Sequence, residues 1–161
     1  MPTIHEALAS AKKQMEKRID AALEKEVAET VKAEEVSVIN ETVYGVYHPK
    51  FYRRRGPYGG ICDFHNMEHS VEKGKLSVMN VTEPNPGGTA NDSMVTTGKD
   101  LPKLIEYGHG GPGGFYDWPL PGRRYIKPRP FTKKTIERLS DDKAHVYALK
   151  EGLKRQRIKV I

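Results

Sequence analysis

Apolar residues recur at steps of three and four along the first quarter of the chain: Leu8, Ala11, Met15, Ile19, Ala22, Leu23, Val27, Val31 and Val38. Such spacing lines one face of a helix, and it predicts one long helix, or two nearly continuous ones, over residues 4–46. Thr3, followed by Glu6, has the form of a capping box. Glu24, Glu26, Glu29, Glu34 and Glu35 form the expected wet face, with Lys12, Lys13, Lys17, Arg18 and Lys25 among them. At about 1.5 Å per residue the helix would run roughly 60 Å, longer than a domain of this size needs. It must therefore bend, or project its N-terminal half to pack on a neighbouring subunit. The stripe is too rich in alanine and too irregular for a coiled-coil heptad.

The helix has to stop by Tyr47, because Pro49 lacks an N–H and pushes His48 out of the helical region. After Gly56-Pro57 the pattern changes to alternation. Residues 60–64 and 75–81 read as two strands of a hairpin within 58–82, joined by the turn chemistry of Glu72-Lys73-Gly74-Lys75. Residues 83–98 are a loop of small and polar types. A short helix follows over 100–107, capped by Asp100 and ended by Gly108. Residues 109–128 are a loop of glycine, proline and the aromatics Phe115, Tyr116 and Trp118. Helices return over 130–155, with Ala144, Val146, Leu149 and Leu153 as the apolar side of the last one, and residues 157–161 alternate like a strand. The fold class is α+β: a long N-terminal helix, a small antiparallel sheet, a short middle helix and a C-terminal helical segment, as one domain over 1–161.

Composition narrows the function more than the fold. A net charge of +6 permits contact with nucleic acid or an acidic partner. The basic helices, however, lack the interleaved aromatics of a base-stacking platform. One cysteine, Cys62, rules out an internal disulfide framework, and no apolar run approaches the length of a membrane span. Residues 1–30 are charged throughout, so no signal peptide is expected and synthesis and folding are expected in a cytoplasm.

Three constellations invite chemistry and none completes it. His109-Gly110-Gly111-Pro112-Gly113 has the look of an oxyanion-hole loop, but no Gly-x-Ser-x-Gly nucleophile elbow accompanies it. Cys62, His65 and His69 are metal-capable types, yet a structural zinc site wants four ligands and no second cysteine pair exists. The Gly-Gly-Pro-Gly-Gly run is not followed by Lys-Ser/Thr at the phosphate-loop spacing. No catalytic residue, metal or cofactor is therefore expected. The triple arginine Arg53-Arg54-Arg55 is either a solvated corner or an anion contact.

Three pieces in order carry a family resemblance: Tyr47-x-Pro49-x-x-Tyr52-x-Arg54-x-Gly56 after the long helix, Ile105-Glu106-Tyr107-Gly108 closing the short one, and Arg129-Pro130-Phe131 opening the C-terminal helices. Over residues 25–155 this arrangement resembles the neck, or head–tail joining, proteins of tailed bacteriophages, which complete or terminate the tail. Arg54-Arg55-Gly56 stands where that family has Arg-Thr-Gly, and Pro57-Tyr58 replaces its following hydrophobic residue.

The resemblance implies a non-enzymatic virion component at the head–tail junction, forming a homo-oligomeric ring of six or twelve subunits. Its implied partners are the connector or stopper and the tail-tube protein, with passing contact to DNA in the lumen and none to membrane. In that setting Tyr52, Arg53, Arg54, Arg55, Glu106, Trp118, Arg129 and Phe131 are the expected interface residues. Arg54→Ala is expected to weaken assembly with little effect on the monomer. A basic nucleic-acid-binding module is the alternative.

Overall fold

The stripe and the capping box produce a helix that is unbroken over residues 4–44 in the computed structural model, which describes residues 3–46, 54–83, 101–108 and 127–160. It comprises α1 (Ile4–Ala22), a π turn (Leu23–Val27), α2 (Ala28–Ile39) and a second π turn (Asn40–Tyr44). Thr3 and Glu6 cap it reciprocally: Glu6 Oε2 accepts the Thr3 N–H at 2.7 Å, and Thr3 Oγ1 accepts the Glu6 N–H at 3.3 Å.

The first π turn changes which face looks inward. It takes up additional chain in one turn. Beyond it the buried line runs through Ala28, Lys32, Glu35, Val38 and Ile39, while Val31 is only half-buried. Glu35, expected on the wet face, is therefore interior. Glu26, expected there too, keeps its side chain only 10% exposed beneath Arg155.

The expected first strand at 60–64 is instead a chain of tight turns. The Gly60 N–H bonds the Gly56 carbonyl, Asp63 N–H bonds Gly60, and Asn66 N–H bonds Asp63. Asp63 then caps a 3-10 turn over Phe64–Asn66. The hairpin is β1 (Met67–Glu72) and β2 (Lys75–Asn80), antiparallel, with Met67 opposite Asn80 and Glu72 opposite Lys75. Its turn residues Lys73 (φ 51) and Gly74 (φ 77) both have positive φ, the requirement of a two-residue type I′ turn.

The hairpin lies along the long helix and is tied to it at both ends and between. Asn80 Nδ2 donates to Glu35 at 3.3 Å, His69 Nε2 sits 3.4 Å from Glu24 Oε1, and the Gly74 N–H donates to Asp20 at 2.9 Å. Between Glu35 and Asp20 the helix rises about 22 Å, and a six-residue strand extends about 20 Å, so the two elements match in length.

On another side, α3 (Leu101–Tyr107), α4 (Phe131–Asp142) and α5 (Ala144–Arg155) complete the fold. α4 runs back along α2, with Arg138 between Glu34 (3.1 Å) and Glu41 (2.6 Å). Lys143 (φ 59) turns the chain into α5, which continues down to Ala22 and Glu26. Within α5 the inward residue of closest approach is Gly152, whereas Val146, expected on the apolar side, is partly exposed.

Residues 157–160 are not a strand. The chain ends α5 in a Schellman turn, with Arg157 at φ 59, its N–H on the Lys154 carbonyl, and the Ile158 N–H reaching back to Leu153. Those bonds use the donors a ladder would need. The core gathers Val38, Ile39, Val43, Ile61, Cys62, Met67 and Phe131, with Val36, Tyr44 and Ile105 against it.

Candidate functional site

A helix this long outruns its own packing. The hairpin tip reaches Asp20 and α5 reaches Ala22. The sixteen residues from Thr3 to Arg18 are all exposed, forming an arm of about 24 Å beyond the body. Its apolar members are uncovered: Ile4 is 87% exposed, Leu8 68% and Met15 55%. On the same helix, the body portion buries Ala22, Leu23, Val27 and Ala28. Among the described residues the arm has the most continuous run of uncovered apolar positions on one helix face.

The arginine corner is partly turned inward. Arg54 Nη1 donates to the Tyr44 carbonyl at 2.9 Å, capping the C-terminal end of the second π turn, and its guanidinium lies 5.0 Å from the Tyr44 ring centre. Burial, with the neighbouring Cys62, pushes the Tyr44 hydroxyl up to about 12. Burial likewise raises the Cys62 thiol, an effect that the neighbouring Tyr44 opposes. Arg55 Nη2 donates to the Glu83 carbonyl at 2.5 Å. Arg53, Tyr52 and Trp118 lie outside the described residues.

Glu106, Arg129 and Phe131 meet in one place. The Arg129 N–H bonds the Ile105 carbonyl at 2.9 Å. Pro130 stands at the N-cap of α4 with no side chain able to cap it. Glu106 supplies the missing acceptors from α3, taking the N–H groups of Thr132 (2.8 Å) and Lys133 (3.2 Å). A carboxylate there also faces the positive end of the helix dipole. Phe131 is 1% exposed and sits wholly in the core. The second and third motifs thus form one internal joint. The sequence signal was available, since a proline-headed helix without Ser, Thr or Asp before it needs a cap from elsewhere.

Cys62, His65 and His69 are drawn to three separate partners. Cys62 is buried against Tyr44, His65 Nδ1 meets Asp63 Oδ1 at 3.1 Å, and His69 meets Glu24. Asp63 also accepts the N–H groups of Gly59 (2.6 Å) and His65 (2.9 Å), which hold its carboxyl below the usual range. Among the described residues no group of three His, Cys, Asp or Glu is arranged to hold a metal ion, and no helix is long and apolar enough to cross a membrane. His109 and its glycine loop lie outside the described residues.

Sequence reasoning anticipated an overlong helix but missed two interior features. The first is Glu35, buried beside Asn80 and Glu106, whose carboxyl is raised chiefly by burial. The second is Gly152, where the last helix comes closest to the first.

Compared with known proteins, residues 7–155 match the family described as YomN. One relative is the SPbeta prophage-derived uncharacterized protein YomN of Bacillus subtilis (strain 168). It is 34% identical over 122 residues, which are 75% of this chain and 71% of that protein. No solved structure matches the chain.

Proposed function

Because the chain belongs to the YomN family, whose Bacillus subtilis relative is prophage-derived, we propose that it is a structural protein of a tailed phage, acting in the virion at the head–tail junction as part of an oligomeric ring. It does no chemistry. Its work is to join surfaces: a connector or stopper on one side and the tail tube on the other.

The observation that carries this reading is the uncovered arm. A chain that extends one helix about 24 Å past its own core, with apolar residues facing water, is shaped for burial against another molecule. The prophage origin of the relative supports the phage setting. The nucleic-acid alternative is less favoured, since Arg54 and Arg55 both spend donors on backbone carbonyls of the fold itself.

The test is deletion of the gene in the phage that carries it, followed by electron microscopy of the lysate. Filled heads and finished tails that fail to join, restored to whole particles by the wild-type chain, are expected. Normally joined particles would refute the assignment.

A further inference from the structure

The positive charge of the chain is concentrated in its last helix and the turn that follows. Residues 143–159 hold six basic side chains and one acidic one, a net of +5 where the whole chain carries +6. The long helix beneath is the opposite: residues 19–44 hold seven acidic and two basic side chains. The two do not neutralise each other, because most of those acids are engaged elsewhere in the fold. Glu34 and Glu41 hold Arg138, Glu24 meets His69, Asp20 takes the Gly74 N–H and Glu35 is buried against Asn80. Among the described residues one ion pair joins α5 to the long helix, Arg155 with Glu26 at 3.1 Å.

Helix geometry turns the surplus outward. Gly152 faces the long helix, so Lys150 and Lys154, two residues to either side of it, lie on the opposite face one turn apart. Both are exposed, as are Arg157 and Lys159 beyond the end of the helix. The negative end of the helix dipole accounts for cations in the last turn, Lys154 and Arg155. It does not account for Lys150, Arg157 or Lys159, which form no ion pair among the described residues. Glu151 is the one acid of the stretch, and its exposed contact with Lys154 at 2.6 Å is one that an incoming anion can exchange. Like charges gathered in this way repel one another, and nothing in the packing of α5 requires them.

We propose that this outward face of α5 contacts the phosphate backbone of duplex DNA. The residue types decide between anions. An acidic protein would meet the face through an interface core, and such cores are depleted in lysine, whereas here lysines stand at the centre. A single strand would want a row of stacking rings, but α5 has one tyrosine, Tyr147, and no Phe or Trp. Lysine is a point charge suited to phosphate rather than a fork that reads base edges, so the contact is independent of sequence. With Lys150, Lys154, Arg157 and Lys159 as the contacting cations, about four phosphates are neutralised, a weak attraction along which a duplex can slide. The choice of DNA rests on the reading that the chain sits at a junction through which DNA passes; the charge distribution itself calls for a phosphate backbone.

The test is fluorescence anisotropy of a short labelled DNA duplex titrated with the full chain to about 500 μM, which covers non-specific affinities of about 10⁻⁴ to 10⁻⁶ M. The wild type is expected to bind at low salt with a log–log salt slope of about −3.6, a loss of about 150-fold between about 50 mM and about 200 mM salt. Lys150→Gln combined with Lys154→Gln is expected to halve the slope to about −1.8, with an unchanged circular dichroism spectrum. Lys13→Gln combined with Lys17→Gln removes the same charge from the arm, on the helix side opposite Ala22 where α5 packs, and is expected to keep the wild-type slope.

A wild type that does not bind duplex at low salt would overturn the proposal. So would an unchanged slope in the α5 pair, or an equal fall in both pairs, which would mark diffuse attraction by net charge. Polyglutamate that displaces the duplex at equal charge would overturn it in favour of an acidic protein. A chain that binds duplex through α5 but is dispensable for head–tail joining would refute the junction and leave the phosphate contact standing. One that is needed for joining but indifferent to duplex would do the reverse.

Discussion

Gly152 tests the packing of the fold most sharply. A Cβ built there would lie 2.8 Å from Ala22 Cβ, 3.2 Å from Ala22 Cα and 2.9 Å from Glu26 Oε2. Apolar carbons sit at about 3.5–4.0 Å, so α5 would have to move outward by roughly 0.7 Å or more. It would also press a methyl on a buried carboxylate oxygen that has no hydrogen-bond partner among the described residues. Overpacking of this kind costs about 1–3 kcal/mol. Against it stands the gain of about 1 kcal/mol for replacing glycine by alanine inside a helix. Gly152→Ala should therefore be neutral to about 2 kcal/mol less stable, and Gly152→Val, which adds more carbon and loses the propensity gain, clearly worse.

Equilibrium urea unfolding of Gly152→Ala, Ala22→Gly and the double variant separates the opposing effects. Removing the Ala22 methyl makes room for the new one, so the two substitutions should couple favourably by about 1 kcal/mol or more. A Gly152→Ala variant stabilised by the whole propensity gain, with no coupling to Ala22→Gly, would refute the close approach of α5 to the long helix.

Arg54→Ala removes a charged hydrogen bond at a helix end and a ring contact, and should lower stability by about 1–3 kcal/mol in thermal melts; this revises the expectation that the monomer would be indifferent, and an unchanged melting temperature would restore it. Glu106→Ala strands the N–H groups of Thr132 and Lys133 and should cost about 2–3 kcal/mol in urea unfolding, with Glu106→Gln intermediate because it keeps one acceptor; equal stability of all three forms would show that the cap is idle. Glu35 has its carboxyl raised above 4.5, first by burial and then by Glu106, so the folded state binds its proton more tightly than the unfolded chain does. Its stabilising effect is present below the unfolded value and is lost as pH rises through the raised one. Glu35→Gln keeps the acceptor for Asn80 without the charge, so its unfolding free energy should fall less than that of the wild type between about pH 5 and about pH 8. A wild-type slope retained in the variant would place the pH dependence elsewhere.

Features set by nearby residues were legible in the sequence. The Thr3–Glu6 cap, the Lys73-Gly74 turn, and the end of α3 at Gly108 (φ 75) each follow from residues within one turn of one another. Features decided by contact with distant residues were not. Ile61 and Cys62 alternate like a strand, but Gly59, Gly60 and the Asp63 carboxylate hold them in turns. Arg157 takes the left-handed conformation more often seen with glycine, so nothing in its identity foretold the Schellman turn. The inward face beyond residue 27 depends on a π turn that periodicity at 3.6 residues cannot register, and Glu35 was misplaced for that reason. Of the expected interface residues, Glu106 and Phe131 belong to the internal joint below α4, while the N-terminal half of the long helix, expected either to bend or to project onto a neighbouring subunit, is the open surface.

The match in length between the hairpin and the Asp20–Glu35 stretch of the helix has a mechanical consequence. The hairpin is pinned near both ends, at Asp20 and at Glu35, and lies alongside the helix whose extension is the arm. A pull along the arm loads those attachments in shear, so that they resist together. A sideways pull would strain the Gly74–Asp20 attachment first and release the rest in turn. The body is therefore stiff toward tension along the helix axis and compliant across it, like a plank nailed along its length.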